Sequence, residues 1–403
     1  MSEGDKPGLG FGTRALKAAT TAPRVDQKPD SVPIYNAVTY STDSAAELAD
    51  VLGDAKPGYA YSRIDSPTAS ALADTLAEIE GAEAAYVFAS GMAAVHATLV
   101  SLLRQGDHVV AARQIYGSVQ HLLDKILPRW GIETTFVDAT DLVAVEAAIR
   151  PNTKLLHVET IANPTIVVAD LAALIELGHR RGLTVSVDNT FASPWLCRPA
   201  ELGADLVIEA LTKWIGGHSD VLAGGVSGRK ELIAAIRRVQ IDTGGTIAPM
   251  SAFLVLRGIE TLHVRMERHS ANALAVARNL EAAGLKTVSY PGLPSHPQFN
   301  VAQRQLRAGG GMLAFELADR ASAERFLDAL ALPPRTASLG SVRTIAVHPP
   351  SSTHRQSTAD ELEKIGIRGG LVRVSVGLEE IDDLIADFDQ ALAKARTTVG
   401  ATA

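Results

Sequence analysis

Residues 204–220 read ADLVIEALTKWIGGHSD, a short apolar run followed by a lysine and two glycines. The run is rich in aliphatic side chains and has the length of a buried β-strand. Lys213 therefore follows the carboxyl end of a predicted strand. A lysine at this place is either a solvated loop residue, as most lysines are, or an amine held in a pocket for chemistry.

Similar short apolar runs precede this one, and amphipathic stretches separate them. Because buried strands and helices alternate, the sequence predicts an α/β fold with a mostly parallel central sheet and helices on both faces. The predicted strands are AAYVFA (84–89), HVVAAR (108–113), ETTFVD (133–138), KLLHVET (154–160), LTVSVDN (183–189) and ADLVIEA (204–210).

Several helices are predicted from their ends and their periodicity. One begins after Ser66, with Pro67 as its first residue, and stops at Gly81. Single helices are predicted at 117–131 and 141–150, and a long helical stretch at 248–283. The mixed strands and helices that follow indicate a smaller α+β domain.

The first 64 residues differ from the rest in composition. They are rich in Pro, Thr, Ser and Asp and show little periodicity, so they are predicted to be an arm that packs on something else. The predicted organisation is an arm at 1–64, a cofactor-binding domain at 65–260 and a C-terminal domain at 261–403.

Composition excludes several classes of protein. The 403 residues carry a net charge of −7, which is not the basic footprint of a nucleic-acid-binding protein. Cys197 is the only cysteine, so an intramolecular disulfide framework is impossible. We also expect no signal peptide, no membrane span and no metal site. These features predict a soluble, cytoplasmic protein.

Four polar stretches fall at or just after predicted strand ends. In open α/β sheets, ligands bind beyond the carboxyl ends of the strands, so these stretches are expected to meet in one site. They are SGMAA (90–94), ETIANPT (159–165), VDNTF (187–191) and EALTKW (209–214).

The residues in and near these stretches each allow two interpretations. Gly91 lies at a strand-to-helix turn that either binds an anion such as phosphate or is a plain tight turn. Asp188 either holds a protonated ring nitrogen or caps the next element. Tyr116 either stacks on a planar ligand or belongs to the core. Arg373, in the apolar strand LVRVSV, either binds a carboxylate or forms a structural ion pair.

Taken together, these groups form a recognisable set. A phosphate-binding turn, an acid for a ring nitrogen, a stacking tyrosine, an amine and a carboxylate-binding arginine are the parts needed to hold pyridoxal phosphate and an amino acid. Lys213 is then interpreted as the amine that engages the cofactor covalently.

Longer motifs show that the sequence closely resembles the Cys/Met-metabolism (trans-sulfuration) family of enzymes that depend on pyridoxal phosphate (PLP). The family includes cystathionine γ-synthases, cystathionine and methionine lyases, and homoserine-ester sulfhydrylases. The resemblance implies the type I fold of PLP-dependent transferases, similar to aspartate aminotransferase. The matching stretches are YSRIDSPT, SGMAAV, IYGSV, ETIANPT, VDNTFASP, TKWIGGHSDVLAGG, LPSHPQ, SLGSVRTIAVHPPSSTH and GLVRVSVGLEEIDDL, between about residues 59 and 382.

The resemblance implies a role for each matching residue toward the cofactor. Lys213 forms the Schiff base and shuttles protons, Asp188 pairs with the ring nitrogen, and Tyr116 stacks on the ring and helps catalysis. The implied phosphate ligands are Gly91, Met92 and Thr212. Tyr61 and Arg63 in the arm reach the phosphate of a neighbouring subunit, with Tyr61 also catalytic, which implies a homotetramer built from dimers with shared active sites.

The resemblance also implies substrate-binding residues. Asn163, Ser338 and Arg373 match positions that hold the α-carboxylate of an amino acid. Arg343 takes the place of a glutamate common in synthases and γ-lyases, and sulfhydrylases tend to have a basic residue there. We therefore expect γ-replacement on O-acetyl- or O-succinylhomoserine, with sulfide or a thiol as nucleophile.

The sequence also allows three other functions. A cystathionine γ-synthase and a cystathionine or methionine γ-lyase use the same scaffold, and a catalytically silent relative used for binding is a more distant alternative. Ser118 replaces a cysteine that is typical of methionine γ-lyases. Ala210 replaces a serine that binds the phosphate in many relatives, so one cofactor hydrogen bond is expected to be missing or replaced.

Overall fold

The structure is a computed structural model that describes residue 13 and residues 28–353, 355 and 358–396, with the backbone only at 359, 361 and 364. Contacts within the chain define two units, residues 1–33 and residues 34–403. The features below belong to the second unit. Among the described helices, none is both long and apolar enough to span a membrane.

A seven-stranded sheet forms the centre of this unit. Its strands lie in the order β1-β7-β6-β5-β4-β2-β3, and all are mutually parallel except β7, which is antiparallel to both of its neighbours. The predicted mostly parallel α/β sheet is thus confirmed. The strands are β1 Ala84–Phe88, β2 His108–Ala112, β3 Glu133–Val137, β4 Thr153–Glu159, β5 Thr184–Asp188, β6 Leu206–Glu209 and β7 Gly224–Gly228.

Helices flank the strands along the chain, and one predicted helix agrees closely with the structure. The Ser66 hydroxyl accepts the Ala69 N–H at 3.3 Å, Pro67 is the first helical residue, and Gly81 ends the helix with a left-handed φ of 66°. The helices of this part are α1 Ala45–Leu52, α2 Pro67–Glu80, α3 Gly91–Leu102, α4 Gly117–His121, α5 Leu142–Ala147, α6 Leu171–Arg180, α7 Ser193–Leu196, α8 Lys230–Thr243, α9 Pro249–Glu260 and α10 Leu262–Ala282.

Two predicted helices are broken in the structure. The helix predicted at 117–131 is α4 followed by a π turn at Leu122–Ile126 and a 3-10 turn at Leu127–Trp130, because Pro128 cannot donate an α-helical hydrogen bond. The stretch predicted at 248–283 is α9 and α10, which meet at Thr261.

Strand β7 was not predicted, because its sequence, GGVSG, has only one β-branched residue. All five of its residues are buried between β1 and β6. A Cβ atom on Gly224 would lie 2.2 Å from the Ser90 carbonyl oxygen. Because Gly224 has no side chain, the turn that begins α3 can lie directly against β7, and this contact fixes the position of the N-terminus of α3.

The C-terminal part adds a four-stranded antiparallel sheet in the order β10-β11-β9-β8. Its core includes Phe315, Phe326 and Phe388, whose rings pack edge to face. The remaining elements are β8 Val288–Ser289, α11 Phe299–Gln305, β9 Met312–Glu316, α12 Arg320–Ala329, β10 Ile345–Val347, a 3-10 turn at Pro349–Ser351, α13 Ala359–Lys364, β11 Leu371–Ser375 and α14 Ile381–Arg396.

The described part of the predicted arm has little core of its own. Helix α1 has no buried residue, and a single bridge pairs Thr39 with Tyr61. Residues 1–12 and 14–27 lie outside the described residues. The domain limits at residues 64 and 260 stay a prediction.

We predict that Gly224→Ala destabilises the protein, because the new methyl group would overlap the Ser90 carbonyl. Overpacking of this kind costs about 1–3 kcal/mol. Denaturant unfolding of the variant measures the loss. Gly369→Ala is the matched control, since the nearest atom to its Cβ is 4.0 Å away. Equal destabilisation in both variants would contradict the role given to Gly224.

Candidate active site

A cavity of about 420 Å³ lies at the carboxyl ends of β4, β5 and β6, beside the start of α3. This is the edge of the sheet at which the four polar stretches were expected to meet. Its lining residues are Ser90, Gly91, Met92, Tyr116, Glu159, Ile161, Asn163, Asp188, Thr190, Phe191, Ile208, Ala210, Thr212, Lys213, Leu222, Ala337, Ser338, Leu339, Thr353 and Arg373.

Lys213 extends its amine into this cavity. Its Nζ donates to the Ser338 hydroxyl at 2.7 Å. Burial, followed by the nearby charge of Arg373, lowers the pKa of Lys213 from 10.5 to about 8. The sequence left open a solvated loop lysine, and the structure excludes it, because a solvated ammonium would not be mostly buried beside a guanidinium.

The backbone around Lys213 is fixed by close packing. A Cβ on Gly340 would lie 2.6 Å from the Trp214 nitrogen, so the loop that carries Ser338 lies directly against the lysine. The Trp214 indole N–H donates to the Phe191 carbonyl at 3.1 Å. Ser338 itself has a φ of 100°, a conformation that side chains other than glycine rarely adopt. The loop therefore holds Ser338 in a strained conformation in order to reach the amine.

Asp188 ends β5 at the base of the cavity. Burial raises the pKa of its carboxyl, and hydrogen bonds from Thr190 oppose this effect, including the Thr190 N–H to Oδ1 at 3.0 Å. No lysine or arginine among the described residues forms an ion pair with it. A buried acid in this state gains stability from a protonated ligand nitrogen.

Glu159, at the end of β4, joins the residues that flank the cavity. Its Oε1 accepts the Tyr116 N–H at 2.6 Å, and its Oε2 accepts the Asn163 N–H at 3.0 Å. Burial and the charge of Asp188 raise the pKa of Glu159 well above its usual range. Glu159 was not predicted as a site residue, although it ends the apolar run KLLHV in the same way as Asp188 ends LTVSV.

Arg373 on β11 is buried and reaches Asn163, which follows the end of β4. It donates from Nη1 to the Asn163 side-chain oxygen at 2.8 Å and from Nη2 to the Ser338 carbonyl at 2.9 Å. Its Nε is buried and has no hydrogen-bond partner among the described residues. In the described part of the chain no carboxylate pairs with it, so the structural ion pair considered from the sequence is not formed. Burial lowers the pKa of Arg373 to about 10.

The first turn of α3 provides donors at the opposite side of the cavity. Gly91 and Met92 precede Ala94, which donates the first backbone bond of the helix, to the Ser90 carbonyl. Their N–H groups and the positive end of the helix dipole favour an anion. A Cβ on Gly91 would lie 2.9 Å from the Ala210 methyl, so the turn packs tightly on the strand that leads to Lys213.

Two hydroxyls at this end differ in their availability. The Thr212 hydroxyl accepts the Ala223 N–H at 3.0 Å and donates to the Ala223 carbonyl at 3.1 Å, so its proton is already used. The Ser90 hydroxyl accepts the Ala93 N–H at 3.1 Å, which leaves its own proton to donate. Ser90 therefore has the donor that the sequence analysis found missing at Ala210.

The other predicted residues lie in different places. Tyr116 lines the cavity and is 43 % exposed, so one face is open to a ligand. Tyr61 and Arg63 do not line it: Tyr61 is 39 % exposed, and Arg63 stacks on its ring and donates to the Ile241 carbonyl. Arg343 is exposed and also lies outside the lining. One chain therefore brings the predicted site residues together in the cavity, except Tyr61, Arg63 and Arg343.

Comparison with known proteins adds a second line of support. The family model for Cys/Met metabolism PLP-dependent enzymes matches residues 12–393. L-methionine gamma-lyase from Pseudomonas putida is 42% identical over 364 residues, covering 89% of this chain and 92% of that protein. O-succinylhomoserine sulfhydrylase from Pseudomonas aeruginosa is 39% identical over 393 residues, 97% of each chain.

A solved structure extends the similarity to the fold. A crystal structure from Campylobacter jejuni, named for O-acetylhomoserine (thiol)-lyase, aligns with a TM-score of 0.89 and 33% identity. The alignment covers 92% of this chain and 97% of that one, and that protein carries a pyridoxyl group on a lysine. A buried amine of lowered pKa, a buried acid and a helix N-terminus in one cavity fit the same cofactor.

We predict that uptake of PLP by the apoprotein accelerates as pH rises through about 8, where Lys213 becomes neutral and nucleophilic. Arg373→Met removes the cation that helps to lower this pKa, so the midpoint should move toward 10.5. Stopped-flow absorbance at a series of pH values gives the midpoint. Arg373→Lys keeps the charge and is the control. A midpoint common to the wild type and Arg373→Met would contradict the electrostatic argument.

Proposed function

This chain belongs to the Cys/Met-metabolism family of PLP-dependent enzymes, and we propose that it replaces the γ-substituent of an activated homoserine ester with sulfide or a thiol. The observation that carries the proposal is the distribution of charge in the cavity. Arg373 provides a cation for the substrate carboxylate, and the other acidic and basic side chains among the described lining residues are Glu159, Asp188 and Lys213, none of which is assigned to the leaving group.

Bound PLP supplies an electron sink for the carbons of the substrate amino acid. We assign Asp188 to the protonated ring nitrogen, because the acid is buried and lacks a cationic partner among the described residues. Tyr116 offers its exposed face to the ring. Gly91, Met92 and Ser90 are assigned to the phosphate, with Thr212 as a ligand only after its hydroxyl releases the Ala223 carbonyl.

Lys213 is the proposed acid and base as well as the covalent ligand. Its pKa of about 8 lets the amine take and return a proton near neutral pH. The Ser338 hydroxyl, 2.7 Å away, orients the amine. Because γ-replacement moves protons at the α- and β-carbons, one amine that swings between them meets the requirement.

The substrate α-carboxylate is assigned to Arg373, Asn163 and Ser338. Arg373 is held on two sides by the other two residues, which fixes the plane of its guanidinium. Its Nε is also buried and lacks a partner in the described part of the chain. A carboxylate ligand would satisfy this donor and neutralise a buried charge that otherwise has no acidic partner in the described chain.

The part of the cavity that faces the far end of the substrate, away from the α-carboxylate, determines which leaving group fits. Four of the described lining residues have acidic or basic side chains, and we assign each of them, Glu159, Asp188, Lys213 and Arg373, to the surroundings of the cofactor or of the carboxylate. The apolar side chains Met92, Ile161 and Leu222 remain for the far end of the substrate. A neutral acetyl ester fits such a wall better than a charged succinyl ester. We assign no role to Arg343, since it is exposed and outside this lining.

γ-Elimination of methionine is the second candidate. The S-methyl group of methionine is also neutral and apolar, and a relative with 42% identity is named L-methionine gamma-lyase. Ser118, where such lyases typically carry cysteine, argues for replacement instead. A cystathionine γ-synthase or lyase fits less well, because the second amino-acid end of cystathionine needs charged partners and no described lining residue remains to provide one. The complete set around Lys213 argues against a silent relative.

We expect O-acetylhomoserine with sulfide to give the highest kcat/KM in a panel that also contains O-succinylhomoserine, cystathionine and methionine, each with and without sulfide. Lys213→Ala should abolish turnover while the circular dichroism spectrum stays that of a folded protein. Activity on methionine without a nucleophile above that on the ester with sulfide would favour elimination. Near-wild-type turnover in Lys213→Ala would contradict the assignment of Lys213 as the catalytic amine.

The arm is proposed to complete the site of a neighbouring subunit within a homotetramer. Tyr61 and Arg63 are outside the cavity of their own chain, and their roles toward the phosphate and in catalysis therefore need a second copy.

A mixing experiment tests this arrangement. Arg63→Ala should weaken cofactor retention, and subunits of Arg63→Ala mixed with Lys213→Ala should regain part of the activity, because some sites then combine an intact arm with an intact lysine. Size-exclusion chromatography with light scattering gives the number of subunits. If exchange is verified with labelled subunits and the mixed oligomers stay inactive, the arm does not act between subunits.

A further inference from the structure

Arg265 is a buried arginine that lies outside the cavity. It belongs to the beginning of α10, is 4% exposed and is absent from the cavity lining. No acid among the described residues forms an ion pair with it, and burial lowers the pKa of its guanidinium to about 10. A buried cation without an acidic partner is costly unless hydrogen bonds satisfy it. The contacts of Arg265 show what holds this charge in the core.

Four of the five N–H groups of the guanidinium donate to oxygen atoms of the chain. Nη1 donates to the Trp214 carbonyl at 2.6 Å, and Nη2 donates to the Ile215 carbonyl at 3.2 Å and to the Gly258 carbonyl at 2.6 Å. Nε donates to the Thr261 hydroxyl at 3.1 Å. The planar guanidinium therefore connects two separate segments, which the single nitrogen of a lysine does less well.

The first of these segments is the junction of α9 and α10. Gly258 lies in the last turn of α9, where carbonyl groups have no partner within the helix. The guanidinium satisfies one of these carbonyls, and its positive charge suits the negative end of the helix dipole. Thr261, which binds Nε, is the residue between the two helices.

The second segment is the turn that carries Lys213. The Lys213 carbonyl accepts the Gly217 N–H at 2.7 Å and is thus satisfied within the turn. The carbonyls of the next two residues, Trp214 and Ile215, are instead satisfied by Arg265. Both residues are only 1% exposed. Because unpaired carbonyls in the core are costly, the guanidinium stabilises this particular shape of the turn.

Close packing holds α10 against the same turn. A Cβ on Gly217 would lie 2.2 Å from Nη1 of Arg265, so the guanidinium lies directly against the turn. The ring of His269, four residues further along α10, packs edge to face on the Trp214 ring, with 4.8 Å between the centroids. Helix α10 therefore contacts both the backbone and the side chain of the residue that follows Lys213.

We propose that Arg265 is a positioning residue for Lys213. Its guanidinium binds the carbonyls of the two residues after the lysine to the junction of α9 and α10, and this fixes the backbone from which the amine reaches into the cavity. The inference rests on the proposed role of Lys213 as the amine that engages the cofactor and moves protons. A misplacement of about 1 Å can cost on the order of a hundredfold in rate, so a small shift of the turn is measurable.

The first test measures the visible circular dichroism of the bound cofactor in holoenzyme of the wild type, Arg265→Lys and Arg265→Met. A cofactor held in one orientation by an asymmetric site gives a strong signal, and a less fixed lysine weakens it. Arg265→Lys keeps the charge but loses the planar guanidinium, whereas Arg265→Met loses the charge and all donors. We expect the signal per bound cofactor to fall in the order wild type, Arg265→Lys, Arg265→Met. If Arg265→Met does not fold, Arg265→Lys decides.

The second test uses the substrate of the proposed panel that the wild type converts fastest. Because the residues assigned to the α-carboxylate are unchanged, the loss is expected in kcat rather than in KM. Arg265→Lys should lower kcat by about tenfold or more. If no substrate of the panel is converted, the proposed reaction is wrong, and the visible circular dichroism still decides the role of Arg265.

Two controls separate positioning from stability, and all proteins are measured well below their denaturation midpoints. Arg268→Met removes another arginine of α10, which pairs with Glu380 at 3.1 Å, and should leave both readouts unchanged. Phe326→Leu destabilises the C-terminal part in a core cluster that does not include Trp214. Wild-type circular dichroism and kcat in Arg265→Lys would overturn the proposal. An equal loss in Phe326→Leu would also overturn it, because lower stability alone would then explain the effect.

Discussion

Two cations, Lys213 and Arg373, share one largely buried cavity, and no acid among the described residues pairs with either of them. This arrangement costs free energy in the empty protein, since burial and mutual repulsion disfavour both charges. The lowered pKa of Lys213 is its direct consequence. Asp188 and Glu159, at the ends of β5 and β4, have raised pKa values for the complementary reason, since burial disfavours their negative charge. A ligand with an aldehyde, a protonated ring nitrogen and a carboxylate would relieve all of these unfavourable terms together.

Close backbone packing makes such a cavity possible. The turn that begins α3 packs against Gly224 of β7, and Gly91 packs against Ala210. The loop that carries Ser338 contacts Lys213 at Gly340. Each contact is too short for a Cβ atom, so glycine sets the distances between the N-terminus of α3, the lysine and the loop that carries Ser338. Gly91, Asp188 and Arg373 are thereby held on a helix and on strands, and the loop that carries Ser338 packs directly against Lys213.

Much of the architecture could be predicted from the sequence. Alternating apolar runs and amphipathic stretches gave the mostly parallel sheet, and Ser66, Pro67 and Gly81 marked both ends of one helix. Strand β7 could not be predicted, because GGVSG is a strand only through its position between β1 and β6, where small residues are required. The π and 3-10 turns after α4 likewise depend on how the chain packs.

For the site, the sequence alone determined which residues gather at the sheet edge, because strand ends of a parallel sheet must lie side by side: Lys213, Asp188, Asn163 and Gly91 follow from that rule. Their charge state and their hydrogen-bond partners depend on the tertiary structure. It showed Arg373 without an acidic partner in the described chain, Glu159 joined to Tyr116 and Asn163, and Arg343 outside the cavity. Charge state and partner depend on burial and distance in three dimensions, and a linear pattern contains neither quantity.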